Sequence, residues 1–137
     1  MTARKERDYS GRSLFEKLGV FIEAEVALAG RHEDGFIDAL NARLATPASA
    51  AMCARYDFIF LRIDGPSDLA AFATAASHLK PAGALWVFHP KGRGASPTDS
   101  QVRAAGIAAG LVDNKISAYT DSHTATRYVI PRARRTA

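Results

Sequence analysis

Cationic and titratable side chains recur where the apolar runs of this 137-residue chain end. Gly30, Arg31 and His32 follow the run Glu25–Ala29. Arg62 and Asp64 bracket the end of Tyr56–Ile63. His89 and Lys91 close Ala84–His89, with Arg93 in the loop beyond. Guanidinium and ammonium groups beside helix N-termini attract anions, so phosphate, carboxylate or nucleotide is the natural guest if these residues converge. A histidine adds acid–base capacity near neutral pH. His89 is the sharpest candidate, read either as an acid or base or as a ring bonded to a loop carbonyl. His32 is expected exposed in its turn, His78 on a helix surface near its C-terminus, and His123 in a hairpin turn. Their spacings match no metal motif. Nor does the chain contain Gly-x-Ser-x-Gly, a Walker-type loop or a Cys–His pairing.

Positioning these residues requires parallel strands whose carboxyl ends share one edge. Tyr56–Ile63 (YDFIFLRI) and Ala84–His89 (ALWVFH) read as buried strands. The helical stretch 68–79 lies between them, with Ser67 as its N-cap and Leu69, Phe72, Ala76 and Leu79 as its apolar stripe. Leu79-Lys80-Pro81-Ala82-Gly83 reads as the turn back to the sheet. Upstream, Ser13-x-x-Glu16 is a capping-box spacing that predicts a short helix over 14–18. Glu25–Ala29 is a strand, and a helix runs from residue 34 or 35 to Ala45, before Pro47. Ala48–Cys53 is a weaker strand candidate. Downstream, Pro90–Pro97 is a loop. Thr98 with Gln101 opens a helix to about Ala109, stopped by Gly110. Strands 112–119 and 124–130 then form a hairpin around Asp121-Ser122-His123. The second of them could pair with another copy of the chain if it forms the sheet edge. Trp86, Phe58, Phe60 and Phe72 are expected in the core, whereas Tyr119 and Tyr128 on the hairpin could stack on a base. The pattern is a three-layer α/β domain, Rossmann-like, with a mostly parallel sheet ending in an antiparallel hairpin.

The net charge is +4. Arg4, Lys5 and Arg7 against Glu6, together with Arg132, Arg134 and Arg135, account for all of it and leave residues 8–130 at −1. The expected layout is a flexible basic segment over 1–12, one domain over 13–130 and a basic tail over 131–137. Solubilising ends are the simple reading; nucleic-acid binding through them is the other. No apolar run reaches the ~20 residues of a membrane span, and the opening MTARKERDYSGR lacks the apolar core of a signal peptide. Cys53, the single cysteine, is expected as an inert core thiol, consistent with a cytoplasmic home.

The run Tyr56–Leu61, then Leu79–Val87, resembles the fourth strand through the fifth of the S-adenosylmethionine-dependent methyltransferases, and Gly110-Leu111-Val112-Asp113 resembles the entry to their terminal hairpin. More narrowly, Asp8 to about Arg132 is similar to a small bacterial family of unknown function. The likeness rests on Tyr9–Leu14, Gly83–Lys91 and Ala108–Asp113. The broader resemblance implies the methyltransferase fold, with a glycine-rich turn after the first strand and a ribose-binding acid after the second. The chain departs from both features. Only Gly30 and Gly35 stand in Ala29–Gly35, and Ala51–Arg55 carries no acid. Asp57 begins its strand and lies at the opposite sheet edge. These departures imply a methyltransferase-like module without catalysis and without a cofactor. It would bind a small anionic ligand or a protein partner, with Gly30, Arg31, His32, Arg62, Asp64, His89 and Lys91 as the candidate site. The alternative is an active methyltransferase whose S-adenosylmethionine loop is atypical.

Overall fold

The computed structural model describes residues 12–134. The expectations for residues 1–11 and 135–137, including most of the basic N-terminal segment, lie outside the described residues. Helix α1 (Arg12–Leu18) leads to strand β1 (Val26–Ala29), helix α2 (Asp34–Arg43) and strand β2 (Tyr56–Arg62). A 3₁₀ turn (Pro66–Ala70) runs into helix α3 (Ala71–Ser77), followed by strand β3 (Leu79–Pro90). Helix α4 (Asp99–Ala108) precedes the hairpin of β4 (Val112–Ala118) and β5 (His123–Val129). The sheet order is β1-β2-β3-β5-β4. β1, β2 and β3 are parallel, and β5 runs antiparallel between β3 and β4.

Strand alternation divides the core in two. Phe58, Phe60, Trp86 and Phe88 face α1 and α2, where they meet Leu14, Leu18, Phe36 and Leu40. Ile59, Leu61, Leu85 and Val87 face α3 and α4, where they meet Phe72, Ala75 and Val102. Trp86 is fully buried, and its Nε1–H donates to Leu18 O at 2.9 Å, which ties α1 to the sheet. Trp86, Phe58, Phe60 and Phe72 are core, as expected.

Several expectations change. The strand sought at 48–53 is a single bridge, Ser49 beside Ala27, made by Leu28 N–H to Ser49 O and Ser49 N–H to Val26 O, each 2.8 Å. Residues 79–83 belong to β3 rather than to a turn, because the Pro81-Ala82-Gly83 segment stays in the sheet across a register shift opposite Tyr56/Phe58. A side chain at Gly83 would bring its Cβ within 2.8 Å of Tyr56 O, so only glycine lets the strands approach there. The helix expected over 68–79 splits into the 3₁₀ turn, capped at Gly65 rather than Ser67, and α3, which ends at Ser77; the Asp68 carboxylate accepts from the Asp64 and Gly65 amides at 2.8 and 3.1 Å and fixes the turn after β2. β5 is interior, so the hairpin's edge strand is β4, which carries a bulge between Asp113 and Lys115. Cys53 is exposed, its Sγ 3.6 Å from Tyr56 Oη. Tyr119 and Tyr128 are buried and offer no stacking surface. At the C-terminal end, Arg134 donates to Gly110 O at 3.3 Å. Among the described residues, no helix is long and apolar enough to cross a membrane.

Candidate functional site

The carboxyl ends of β1, β2 and β3 lie at one edge of the sheet, joined there by the start of the antiparallel β5. Gly30 leaves β1 with φ +86°, and a Cβ on it would meet Arg62 O at 2.6 Å. Only glycine therefore lets the β1 and β2 backbones approach this closely. His32 turns inward, contrary to the expected exposure, and is 7% accessible. Its Nε2 lies 2.8 Å from Phe60 O and 3.0 Å from Ala29 O. Carbonyls only accept, so Nε2 carries the hydrogen and Nδ1 presents a bare lone pair. The ring stacks on Phe36 and meets Phe88 edge-on. Burial pulls the His32 pKa below its ordinary value, against the upward pull of its bonds to Phe60 and Ala29.

Arg62 ends β2 on the same sheet face as Phe58 and Phe60. Its Nε donates to Asp64 Oδ1 at 2.9 Å. The same oxygen faces His123 Nε2 at 2.9 Å. Burial pushes the Asp64 pKa up, but the hydrogen bonds and charges of Arg62 and His123 outweigh it and hold the carboxyl below its ordinary range. His123 is the first residue of β5 and is buried. The local sequence placed it in a turn. It joins the site only because β5 inserts beside β3, a long-range pairing that no local signal reveals.

His89 lies on the other face, in line with Leu85 and Val87. It is 3% accessible, its Nε2 lies 2.9 Å from Thr126 Oγ1, and the Pro90 backbone also interacts with the ring. Its Nδ1 faces Asp99 Oδ1 at 3.7 Å, beyond hydrogen-bond reach. Burial lowers the His89 pKa, and Asp99 opposes that shift. Next to Asp99, the Gly92–Ser100 stretch borders an open cavity of about 340 Å³. Arg31 and Lys91 are exposed.

Three buried side-chain nitrogens have no hydrogen-bond partner among the described residues: His32 Nδ1, Arg62 Nη1 and His89 Nδ1. All three belong to residues that the sequence placed at the carboxyl edge. The structure groups His32, Arg62 and Asp64, adds His123, and sets His89 apart on the opposite face. No group of histidine, cysteine or carboxylate side chains among the described residues could hold a metal ion. Asp57 sits at the amino edge, as expected, where it accepts from Glu25 N–H at 2.8 Å and from Lys80 Nζ at 3.2 Å.

No family model matches the chain. No curated protein matches it either. Solved structures do. The CcbJ methyltransferase from Streptomyces caelestis is similar with a TM-score of 0.59 at 11% identity, over 90% of this chain and 89% of that one. CalO1, a methyltransferase of calicheamicin biosynthesis in its SAH-bound form, is similar with a TM-score of 0.62 at 14% identity. That match covers 85% of this chain, which spans about half (52%) of CalO1. The glycopeptide N-methyltransferase MtfA gives a TM-score of 0.57 at 11% identity, covering 90% and 91% of the two chains. Identities this low speak for the fold alone, a Rossmann-like α/β fold shared with these methyltransferases.

Proposed function

We propose that this chain is a methyltransferase-like module that binds a small anionic ligand at the carboxyl edge of its sheet and does not transfer methyl groups. The observation that carries the reading is Arg62 Nη1, a buried cationic donor with no acceptor. Desolvating a guanidinium proton without a partner is costly, and a phosphate or carboxylate oxygen would satisfy it. His32 Nδ1 offers a lone pair in the same region, suited to a ligand that also carries a hydroxyl or a protonated oxygen.

The residues do not fit the cofactor that the fold implies. Where a methyltransferase keeps an open glycine turn, Arg31, His32, Glu33 and Asp34 stand between Gly30 and Gly35, and the inward His32 ring lies over Phe36. Where the fold has a second strand ending in a ribose-binding acid, this chain has the single Ser49 bridge, and Ala51–Arg55 has no acid.

A thermal-shift series with phosphate, small carboxylates, nucleotides, S-adenosylmethionine and S-adenosylhomocysteine tests the reading. Ligand at 100 times its Kd stabilises by about 2.7 kcal/mol. Anions should raise the midpoint in the wild type and not in Arg62→Met. Strong stabilisation by micromolar S-adenosylmethionine would overturn the reading in favour of an active methyltransferase with an atypical loop.

A further inference from the structure

The β4–β5 turn carries a hydrogen-bonded chain of side chains that reaches the anion site at Asp64 and ends on an exposed serine hydroxyl. Ser122 is exposed, and its Oγ lies 2.8 Å from His123 Nδ1. His123 Nε2 lies 2.9 Å from Asp64 Oδ1. Arg62 and His123 keep the Asp64 carboxyl ionised, so it can only accept. His123 Nε2 therefore carries the hydrogen. In the neutral ring Nδ1 is then an acceptor, and Ser122 Oγ–H donates to it. Thr120 Oγ1 accepts the His123 backbone N–H at 3.1 Å, which leaves its own hydrogen free for Ser122 Oγ, 3.3 Å away. The protons thus run in one direction, from Thr120 to Ser122 to His123 to Asp64.

Backbone bonds hold this turn. Thr120 N–H donates to His123 O at 3.0 Å, and Lys91 N–H donates to Ser122 O at 3.1 Å. The His123 ring is 9% accessible while the serine beside it is open to solvent. An exposed hydroxyl bonded to the acceptor nitrogen of a buried, carboxylate-oriented imidazole is the arrangement that activates a serine. The two ring nitrogens are interchangeable in this role, because either can take a proton while the other is held by a carboxylate.

We propose that Ser122 is a nucleophile toward carboxylic esters, with His123 as its base and Asp64 as a positioning residue. Ser122 Oγ bonds to the carbonyl carbon as its proton passes to His123 Nδ1, and the carbonyl π electrons move to oxygen. Collapse of that adduct breaks the ester C–O bond. The departing alcohol takes the proton back from His123 and leaves an acyl-serine. Water then attacks the acyl carbon by the same proton path, releasing the acid and restoring Ser122. The two proposals share Asp64, which Arg62 Nε also holds, but they rest on different atoms: Arg62 Nη1 for the anion and Ser122 Oγ for the ester.

The test treats the full chain with a fluorophosphonate probe and, separately, with p-nitrophenyl acetate. Stoichiometric labelling at Ser122 is expected by peptide mapping. Ser122→Ala should abolish the label and slow ester hydrolysis about 100-fold or more while keeping the phosphate response, so the two proposals fail separately. Asp64→Asn should slow labelling about tenfold or more at a temperature where both proteins remain folded, with Asp64→Glu restoring part of it. Ser122→Cys should react with iodoacetamide faster than Cys53 in the same molecule. Labelling of Ser122 no faster than of the exposed Ser100, or wild-type ester hydrolysis by Ser122→Ala, would overturn the proposal.

Discussion

His32 and His89 are held neutral by where they sit, and that has a direct consequence for stability. Burial lowers both pKa values relative to the unfolded chain. The unfolded state therefore binds more protons once the pH drops below about 6.5, the ordinary histidine value. The stability these rings contribute is fully present above that pH and is lost as pH falls toward their folded values. Urea midpoints measured from pH 8 to pH 5 should decline on the acid side, and His89→Asn should flatten part of that decline. Gly30 is the second residue with a sharp expectation. Gly30→Ala combines a positive φ with a 2.6 Å approach to Arg62 O, and should cost about 1–3 kcal/mol in denaturant unfolding. The charged members of the site were legible as residue types at strand ends. Their burial was not, because whether His32 points in or out depends on the Phe36 and Phe88 rings that receive it. His123 was not legible at all, since its partner Asp64 is 59 residues away.

Elements with strong local signals stand where the sequence puts them. Helix α4 opens on Thr98, whose Oγ1 accepts from Gln101 N–H at 3.2 Å while Gln101 Oε1 accepts from Thr98 N–H at 2.9 Å. This reciprocal pair was readable from spacing alone. Thr98→Ala should destabilise the protein by about 1 kcal/mol, read as a shift in urea midpoint without a change in slope. Two stretches whose state depends on a distant partner differ from the expectation. β3 runs through a Pro-Ala-Gly stretch with turn composition because β2 is already there to pair with it. Residues 48–53 are short and apolar enough for a strand, but Ser49 alone meets β1. The place of β5 inside the sheet rather than at its edge follows from the hairpin folding back on β3, which composition does not encode.

At the scale of the whole molecule, two layers of helix cover a five-stranded sheet whose outer side at β1 stops at one bridge. The architecture was legible because buried parallel strands and crossover helices leave strong apolar patterns. The departures from the methyltransferase pattern were legible too, in the charged turn after β1 and the missing acid in 51–55. The folded chain adds that the β1 and β2 backbones close on one another at Gly30 and that the uncommitted donor of Arg62 lies on the same edge. Calorimetric titration of the full chain with S-adenosylmethionine tests this account most directly, with inorganic phosphate titrated alongside. The account predicts no saturable heat from S-adenosylmethionine up to millimolar concentration, and a phosphate response that disappears in Arg62→Met. A micromolar Kd for S-adenosylmethionine, unchanged by Arg62→Met, would contradict it.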